Sequence, residues 1–225
     1  MKACRITEPG HVETSEIPNP APTGEETVVD VKRVGLCGTD LRAYTGENPN
    51  IEYPRIIGHE IGAVLREPCV VDGRSYDPGT VVAVNPYSNC GHCPACRNGR
   101  SYACQFNQTL GNQRDGAATE QLAIKANRLY PLPGLDVDAA ACVEPMSVGF
   151  HAAARGGISE TDSVVVLGAG MIGLGAVAGA VARRARVIVI DLDDRKLKVA
   201  QTLGADAVIN ARNADPHSGI AEHKG

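Results

Sequence analysis

The chain has 225 residues, with 22 Lys+Arg against 26 Asp+Glu, and its formal charge of −4 is too small in either sense to suggest a nucleic-acid or anionic-membrane binder. Hydrophobic residues make up 43%, aromatics only 4% with no Trp, so the core of a soluble protein here is built from Val, Ala, Ile and Leu. Glycine, 25 residues of 225, exceeds the average of about 7%, so turns and close backbone contacts are frequent.

Short β-rich runs at 27–36 (TVVDVKRVGL), 56–65 (IIGHEIGAVL), 80–88 (TVVAVNPYS) and 118–132 (ATEQLAIKANRLYPL) are separated by Gly and Pro turns. They predict an irregular antiparallel, barrel-like domain over residues 1–155. Within it, Cys37 in VGLCGTD and the pair His59–Glu60 in IIGHEIG offer a thiolate, an imidazole and a carboxylate. Three protein ligands leave a fourth place open for substrate, as a catalytic zinc requires. Neighbours in a regular strand point to opposite faces, so either the backbone departs from strand geometry at His59–Glu60 or one of the two stands behind the other.

The pattern Cys90-x2-Cys93-x2-Cys96-x7-Cys104 lets four thiolates close around one tetrahedral zinc ion, with Gly91, Pro94 and Gly99 supplying turn-forming backbone. A closed shell of this kind is structural, and the lobe that carries it, about 88–106, reads as an insertion in the first domain. A disulfide cluster would need an oxidising compartment, whereas the opening MKACRITEPG holds no apolar export segment, which points to the cytoplasm. Cys4, Cys69 and Cys142 have no spacing relation and read as buried or incidental thiols.

Glu144 in CVEPMSVGFH stands before Pro145, where the chain does not easily turn helical, and a carboxylate there is open to be aimed at a metal. It equally suits the first turn of a helix predicted from about Pro145 to Ala154, where the helix dipole favours an acid. Gly156-Gly157 marks the join to a second domain, 156–225. There SVVVLGAGMIGLGAVAGAVARRARVIVID reads as strand, turn, helix, strand, with Gly168-x-Gly170-x2-Gly173 at the turn. Gly168 permits the tight turn, Gly170 admits a pyrophosphate, and Gly173 lets helix pack on strand. Met171 and Ile172 open the helix whose N-terminus faces the phosphates. Asp191, at the end of the second strand, accepts from both ribose hydroxyls and repels a 2′-phosphate, which selects NAD over NADP, and Lys196 either flanks the adenosine or, like Arg195, is an ordinary helix-surface cation. The nineteen uncharged residues from Val164 to Ala182, with Gly175-x3-Gly179 inside, are long enough for a membrane helix, but the pattern breaks as a strand and then a helix. A helix at 193–203, a strand at 207–210 and a polar tail complete the chain.

The order Cys-Gly-Thr-Asp, Gly-His-Glu, four-cysteine lobe, Val-Glu-Pro and glycine-rich turn resembles the zinc-dependent medium-chain dehydrogenases. Within them it resembles the polyol branch of sorbitol and galactitol-phosphate dehydrogenases, and YPRIIGHE, NPYSNCGHCPACRNGR and VEPMSVGFHAA look closest to galactonate-type members. The resemblance runs from Met1 to about Asn210. It implies an α/β protein in which a GroES-like irregular β-barrel catalytic domain precedes a Rossmann parallel-sheet domain. It further implies two zinc ions, NAD as cofactor, a polyol or sugar acid as substrate, and a homo-oligomer at full length. Cys37, His59, Glu60 and Glu144 match the residues associated with catalytic zinc, and Cys90, Cys93, Cys96 and Cys104 those holding structural zinc. Thr39 is then the group that takes the proton of the substrate hydroxyl, and Glu60, a harder ligand than a second thiolate, suits a polyol. Many members carry a histidine five residues after the cysteine ligand to pass the proton on. This chain has Arg42, which cannot act as a base but can attract a substrate carboxylate or a cofactor phosphate, or simply be a solvated cation.

A dinucleotide fold needs two βαβαβ halves, and this reading finds only the first. Two expectations follow: an NAD-dependent zinc dehydrogenase of a polyol or sugar acid, or a zinc-binding fragment that keeps its metals yet is impaired in hydride transfer.

Overall fold

In the computed structural model, which describes residues 1–223, the chain divides into two compact units, Met1–Glu144 and Pro145–Gly225. The first begins with a hairpin, β1 (Lys2–Glu8) and β2 (His11–Glu16), followed by β3 (Glu26–Gly35) and helix α1 (Gly38–Thr45). Strands β4 (Arg55–Ile56), β5 (Glu60–Leu65), β6 (Cys69–Val71), β7 (Arg74–Tyr76) and β8 (Val81–Val84) come next. The short helix α2 (Pro94–Arg97) lies in the cysteine lobe, and β9 (Gln121–Lys125) and β10 (Leu129–Pro131) complete the strands.

A five-stranded antiparallel sheet, β10-β8-β5-β3-β9, is the spine of this unit, and β2-β1-β4 forms a second sheet. Asp72 and Gly73 both have positive φ, 48° and 76°, the twist a two-residue hairpin needs to join β6 and β7. The core is aliphatic as composition predicts: Val29, Ile61, Leu65, Val82, Val84, Ile124 and Leu129 are buried together. Two register facts place the candidate site. Gly35 at the end of β3 pairs with Glu60 at the start of β5, so Cys37 emerges beside the His59–Glu60 pair. The helix α3 (Val137–Arg155) starts by docking on β5, where a side chain at Gly62 would collide with the carbonyl of Val137 and the amide of Ala141.

The sequence predicts a helix only from about Pro145. The structure extends it back to Val137, capped by Asp136, whose Oδ1 accepts from the Ala139 amide at 2.7 Å. Pro145 therefore lies inside the helix and Glu144 is helical, contrary to the expectation of a non-helical residue before proline. Packing overrides the local bias of proline. The first turns dock at Gly62; in the second unit Gly149 sits against the backbone of Ile172 and Ala176, and Gly175 against Met146. The sequence join at 155–156 and the compactness division after Glu144 thus fall on either side of the helix's second half.

The second unit holds β11 (Ser163–Leu167), α4 (Met171–Val181), β12 (Arg186–Asp191), α5 (Asp194–Thr202), β13 (Ala207–Asn210) and α6 (Pro216–Glu222). Its sheet, β11-β12-β13, is parallel throughout. Parallel strands are buried on both faces, and here Val187 and Val189 pack under α4 and α5 while Ile188 and Ile190 face the other way. The polar tail of the sequence reading contains the helix α6. Asp215 caps α6 by accepting from the Ser218 amide, and Ile220 packs against the cluster of Ile188, Ile190, Ala207 and Ile209. Among the described residues no helix is long and apolar enough to cross a membrane. The apolar run 164–182 divides into β11 and α4, and its Gly175-x3-Gly179 spacing serves the contact with α3, Gly179 lying against Phe150 and Ala153.

Candidate metal and nucleotide sites

The four-cysteine lobe is held open by short turns, with Gly91 at φ 76° and Gly99 at φ 69°. All four sulfurs lie within 4.8 Å of one another. The individual separations are 4.0 Å for Cys90–Cys96, 3.9 Å for Cys93–Cys104 and 3.7 Å for Cys90–Cys104. A regular tetrahedron with Zn–S bonds of about 2.3 Å has edges of about 3.8 Å, so the cluster already has the dimensions of a zinc shell. Backbone amides donate to the sulfurs: Cys93 to Cys90 at 3.3 Å, Cys90 to Cys104 and Phe106 to Cys104 at 3.4 Å. The Cys96 amide is the main cause that brings the Cys93 thiol down to about 6, whereas desolvation and its sulfur neighbours push Cys96 up to about 11. Four sulfurs this close favour full ionisation only around a cation, and among the described residues no cysteine is disulfide-bonded.

The mixed site assembles from three elements. Cys37 is the N-cap of α1, immediately beyond β3, and Glu60 opens β5. Gly58 adopts φ 98°, so the chain turns before His59 and only then enters the strand. That irregularity lets adjacent residues reach one centre: the ligand atoms of Cys37, His59 and Glu60 lie within 4.8 Å of one another. Gly35 makes room for the carboxylate, since a Cβ there would collide with Glu60 Oε2 and lie 2.8 Å from its Cβ. Burial pushes the Glu60 carboxyl above the usual range, and the charge of Glu144 adds to this while His59 opposes it. His59 is buried with its Nδ1 lacking a hydrogen-bond partner, a rarity that marks a polar centre built for a further group. Thiolate, imidazole and carboxylate are a zinc donor set.

Asp40, which sequence reasoning missed, ties this site together. Buried beside it, Asp40 accepts from the Cys37 amide at 2.9 Å and the Gly58 amide at 3.3 Å, and its Oδ1 lies 3.9 Å from His59 Nδ1. The available signal was its place three residues after Cys37, the capping-box position of α1. Thr39 Oγ1 is 3.8 Å from the Cys37 sulfur, and Arg42 lies exposed three residues further along the same helix. Glu144 is not one of the three clustered groups. It is buried on α3 and accepts from the Tyr87 hydroxyl, a contact with no signature in the sequence.

In the second unit, Gly168 turns out of β11 at φ 92° and Gly170 caps α4 in extended conformation. A Cβ at Gly170 would meet nothing within 4 Å, whereas one at Gly173 would collide with the Gly168 carbonyl. No side chain caps α4, so its first amides, at Met171, Ile172 and Gly173, have no partner within the helix and suit a phosphate. Asp191 is bonded to the turn backbone, which sequence reasoning did not foresee. Its Oδ2 accepts from the Ala169 amide at 2.7 Å, and its Oδ1 from Leu192 at 2.7 Å and Asp193 at 2.9 Å. These bonds, the Ala169 amide foremost, lower its carboxyl below the usual range. Three of about four acceptor sites are used by the protein, which leaves room for a ribose hydroxyl. Lys196 is exposed on the first turns of α5, and its charge contributes to the shift.

The alcohol dehydrogenase GroES-like domain family matches residues 23–134, and the zinc-binding dehydrogenase family matches residues 172–225. The chain is 40% identical over 174 residues to L-galactonate-5-dehydrogenase of Escherichia coli K12, covering 76% of this chain and 50% of that protein. It is 32% identical to an NAD-dependent alcohol dehydrogenase of Sulfurisphaera tokodaii, covering 98% of this chain and 67% of that one. Among solved structures, an alcohol dehydrogenase of E. coli CFT073 complexed with NADH superposes with a TM-score of 0.86 at 34% identity, covering 99% of this chain and 66% of that one. The chain thus spans about half to two thirds of the length of these relatives.

Proposed function

The chain belongs to the zinc-dependent medium-chain alcohol dehydrogenase family, and on that premise we propose that it carries the metal and nucleotide sites of an enzyme oxidising a secondary alcohol of a polyol or sugar acid with NAD. The observation that carries this reading is the convergence of Cys37, His59 and Glu60 on one centre. These three would hold a catalytic zinc, and the four-cysteine lobe a structural one. When bound, zinc acidifies a hydroxyl placed at its open position and NAD supplies the hydride acceptor.

The chain's own groups do the rest. Asp40 fixes the Cys37 amide and the turn at Gly58, so thiolate and imidazole keep their spacing. Thr39 presents its hydroxyl beside the Cys37 sulfur, where it would accept a hydrogen bond from the substrate hydroxyl and relay that proton by releasing its own to solvent. Arg42, on the same face of α1 three residues on, offers a fixed cation for the carboxylate of a sugar acid. The α4 N-terminus takes the pyrophosphate, and Asp191 the adenosine ribose. The similarity to L-galactonate-5-dehydrogenase favours a sugar acid among the polyol-type substrates. Eight cysteines free of disulfides suit a reducing, cytoplasmic setting.

The test is a panel of sugar alcohols and aldonates with NAD, run beside a zinc count. NADH formation with one member of the panel should vanish in Cys37→Ser together with one zinc per chain. Turnover that survives loss of that zinc would refute the proposal.

A further inference from the structure

Asn98–Gly99 is the only Asn-Gly pair in the sequence, and both residues lie exposed on the four-cysteine lobe, where neither the proposed reaction nor metal ligation uses them. Such a pair carries its own chemistry. Glycine has no side chain to keep its backbone nitrogen from the preceding side-chain carbonyl, so an Asn-Gly peptide that is free to rotate closes on itself. The Gly99 nitrogen would bond to Asn98 Cγ, and the side-chain nitrogen would leave as ammonia, taking the Gly99 amide proton. Water would then open the five-membered imide to aspartate or isoaspartate. Nothing is oxidised or reduced.

The fold holds the pair in a geometry that blocks this step. Asn98 closes helix α2 with ψ 18°, so the Gly99 nitrogen nearly eclipses the backbone nitrogen of Asn98. Substituents on a tetrahedral carbon stand roughly a third of a turn apart about the next bond, so the Cβ that carries the amide points away from that nitrogen. Both reacting groups are also tied. Asn98 Nδ2 donates to the Pro94 carbonyl at 2.9 Å, and the Gly99 amide donates to the Cys96 carbonyl at 3.1 Å. Both acceptors belong to α2, a helix of 4 residues that follows Cys93 as its N-cap and contains Cys96. One turn is far too short to be stable alone, so α2 persists only while those two cysteines are fixed.

We propose that Asn98 is a site of spontaneous deamidation gated by the metal of the four-cysteine lobe: it stays intact while zinc holds α2 and is converted once zinc leaves. The inference rests on the structural zinc site proposed above. With zinc bound, the sulfurs of Cys93 and Cys96 anchor both ends of α2. Without it nothing joins the four sulfurs, which form no disulfide, so α2 frays and the Asn98 backbone is free to turn. Isoaspartate carries the main chain through one more carbon between Cys96 and Cys104. The Gly99 amide then no longer meets the Cys96 carbonyl, and the turn that presents Cys96 does not re-form. Loss of this zinc is thereby made irreversible.

The test incubates the full chain loaded with zinc, and the same chain stripped by a strong chelator, and follows the Asn98 peptide by mass spectrometry with an isoaspartate assay. The stripped chain should lose the Asn98 amide about tenfold faster or more, because the rate follows the fraction of lobe that is open. In zinc-containing buffer Cys90→Ser should react at the stripped rate, whereas Cys37→Ser, which empties the mixed site alone, should keep Asn98 intact. Amide hydrogen exchange in β3 and β5 on the same samples separates opening of the lobe from global unfolding, and these strands should stay protected. Equal rates in the loaded and stripped chain overturn the proposal. Reaction of Cys37→Ser at the stripped rate overturns it too, as does reaction that appears only when β3 and β5 lose protection. A zinc count that Cys90→Ser leaves unchanged would instead remove the metal of the lobe, and this inference with it.

Discussion

Replacing Gly35 with Ala should detach the Glu60 carboxylate from the mixed site while sparing the fold. Gly35 is not among the residues with positive φ, so alanine adopts its backbone without strain. The effect is steric. The new Cβ would lie 2.8 Å from Glu60 Cβ and 3.1 Å from Cδ. Carbon atoms prefer at least about 3.5 Å, so the side chain must retreat by about 0.7 Å at its stem. Metal–ligand distances tolerate only about 0.2 Å, so the displacement removes one of three ligands from register. The expected loss is about 10–100-fold in zinc affinity at that site, or about 1.4–2.8 kcal/mol. Overpacking costs the fold itself about 1–3 kcal/mol. Titrating the zinc-loaded chain with a graded chelator and counting metal at each step resolves the two sites. The four-cysteine zinc should release as in the parent chain, and the other at a chelator strength at least tenfold lower. Coincident release curves for parent and Gly35→Ala would refute the steric argument.

In the unsubstituted chain, two zinc ions should be released in order, the mixed site first, because it has fewer thiolates and an open position. A single zinc that survives Cys90→Ser and vanishes in Cys37→Ser would contradict this. Asp191→Ala should weaken NAD binding and reduce discrimination against NADP about tenfold or more, because it removes both the ribose acceptor and the charge that repels a 2′-phosphate. The same change strips acceptors from the amides of Ala169, Leu192 and Asp193, so the glycine-rich turn should exchange amide hydrogens faster. An unchanged NAD/NADP ratio of dissociation constants would sink the assignment. Gly149→Ala should destabilise the second unit by about 1–3 kcal/mol, since its Cβ would collide with the Ile172 carbonyl and Ala176 amide. Urea denaturation followed by far-UV circular dichroism checks it, and a midpoint equal to the parent's would be the refuting result.

The fold was most legible where the chemistry is local. The run SVVVLGAGMIG spells strand, turn and helix through a β-branched segment and glycines whose need shows in the fold as a positive φ at Gly168 and a close approach at Gly173. The clustering of the cysteine lobe was legible for the same reason: four cysteines within fifteen positions leave little freedom. Helix α3 was misjudged because its existence around Pro145 depends on partners remote in sequence, Gly62 on β5 and Gly175 on α4, which no local rule consults. The helix α6 escaped notice for a related reason. Seven residues with one large apolar side chain give no periodicity, and what holds the helix is the Asp215 cap and the contact of Ile220 with the sheet.

The mixed site shows why ligand types can be read from a sequence while their mutual geometry cannot. Cys37, His59 and Glu60 are recognisable donors, yet two of them are adjacent, and strand geometry alone would send them to opposite faces. What brings them together is a pair of glycines that carry no chemistry. Gly58 turns the backbone before His59, and Gly35 clears the space that the Glu60 carboxylate occupies. Asp40 then converts two separate loops into one rigid frame, because a single carboxylate accepts from the amide of Cys37 and from the amide of Gly58, eighteen residues beyond Asp40. A ligand set built this way depends on backbone atoms as much as on side chains. Asp40→Asn follows as the sharper probe of that dependence: it keeps size and burial but swaps one acceptor for a donor facing an amide. It should therefore loosen metal binding at the mixed site without touching a ligand, and unaltered zinc affinity in that variant would show that the frame holds by packing alone.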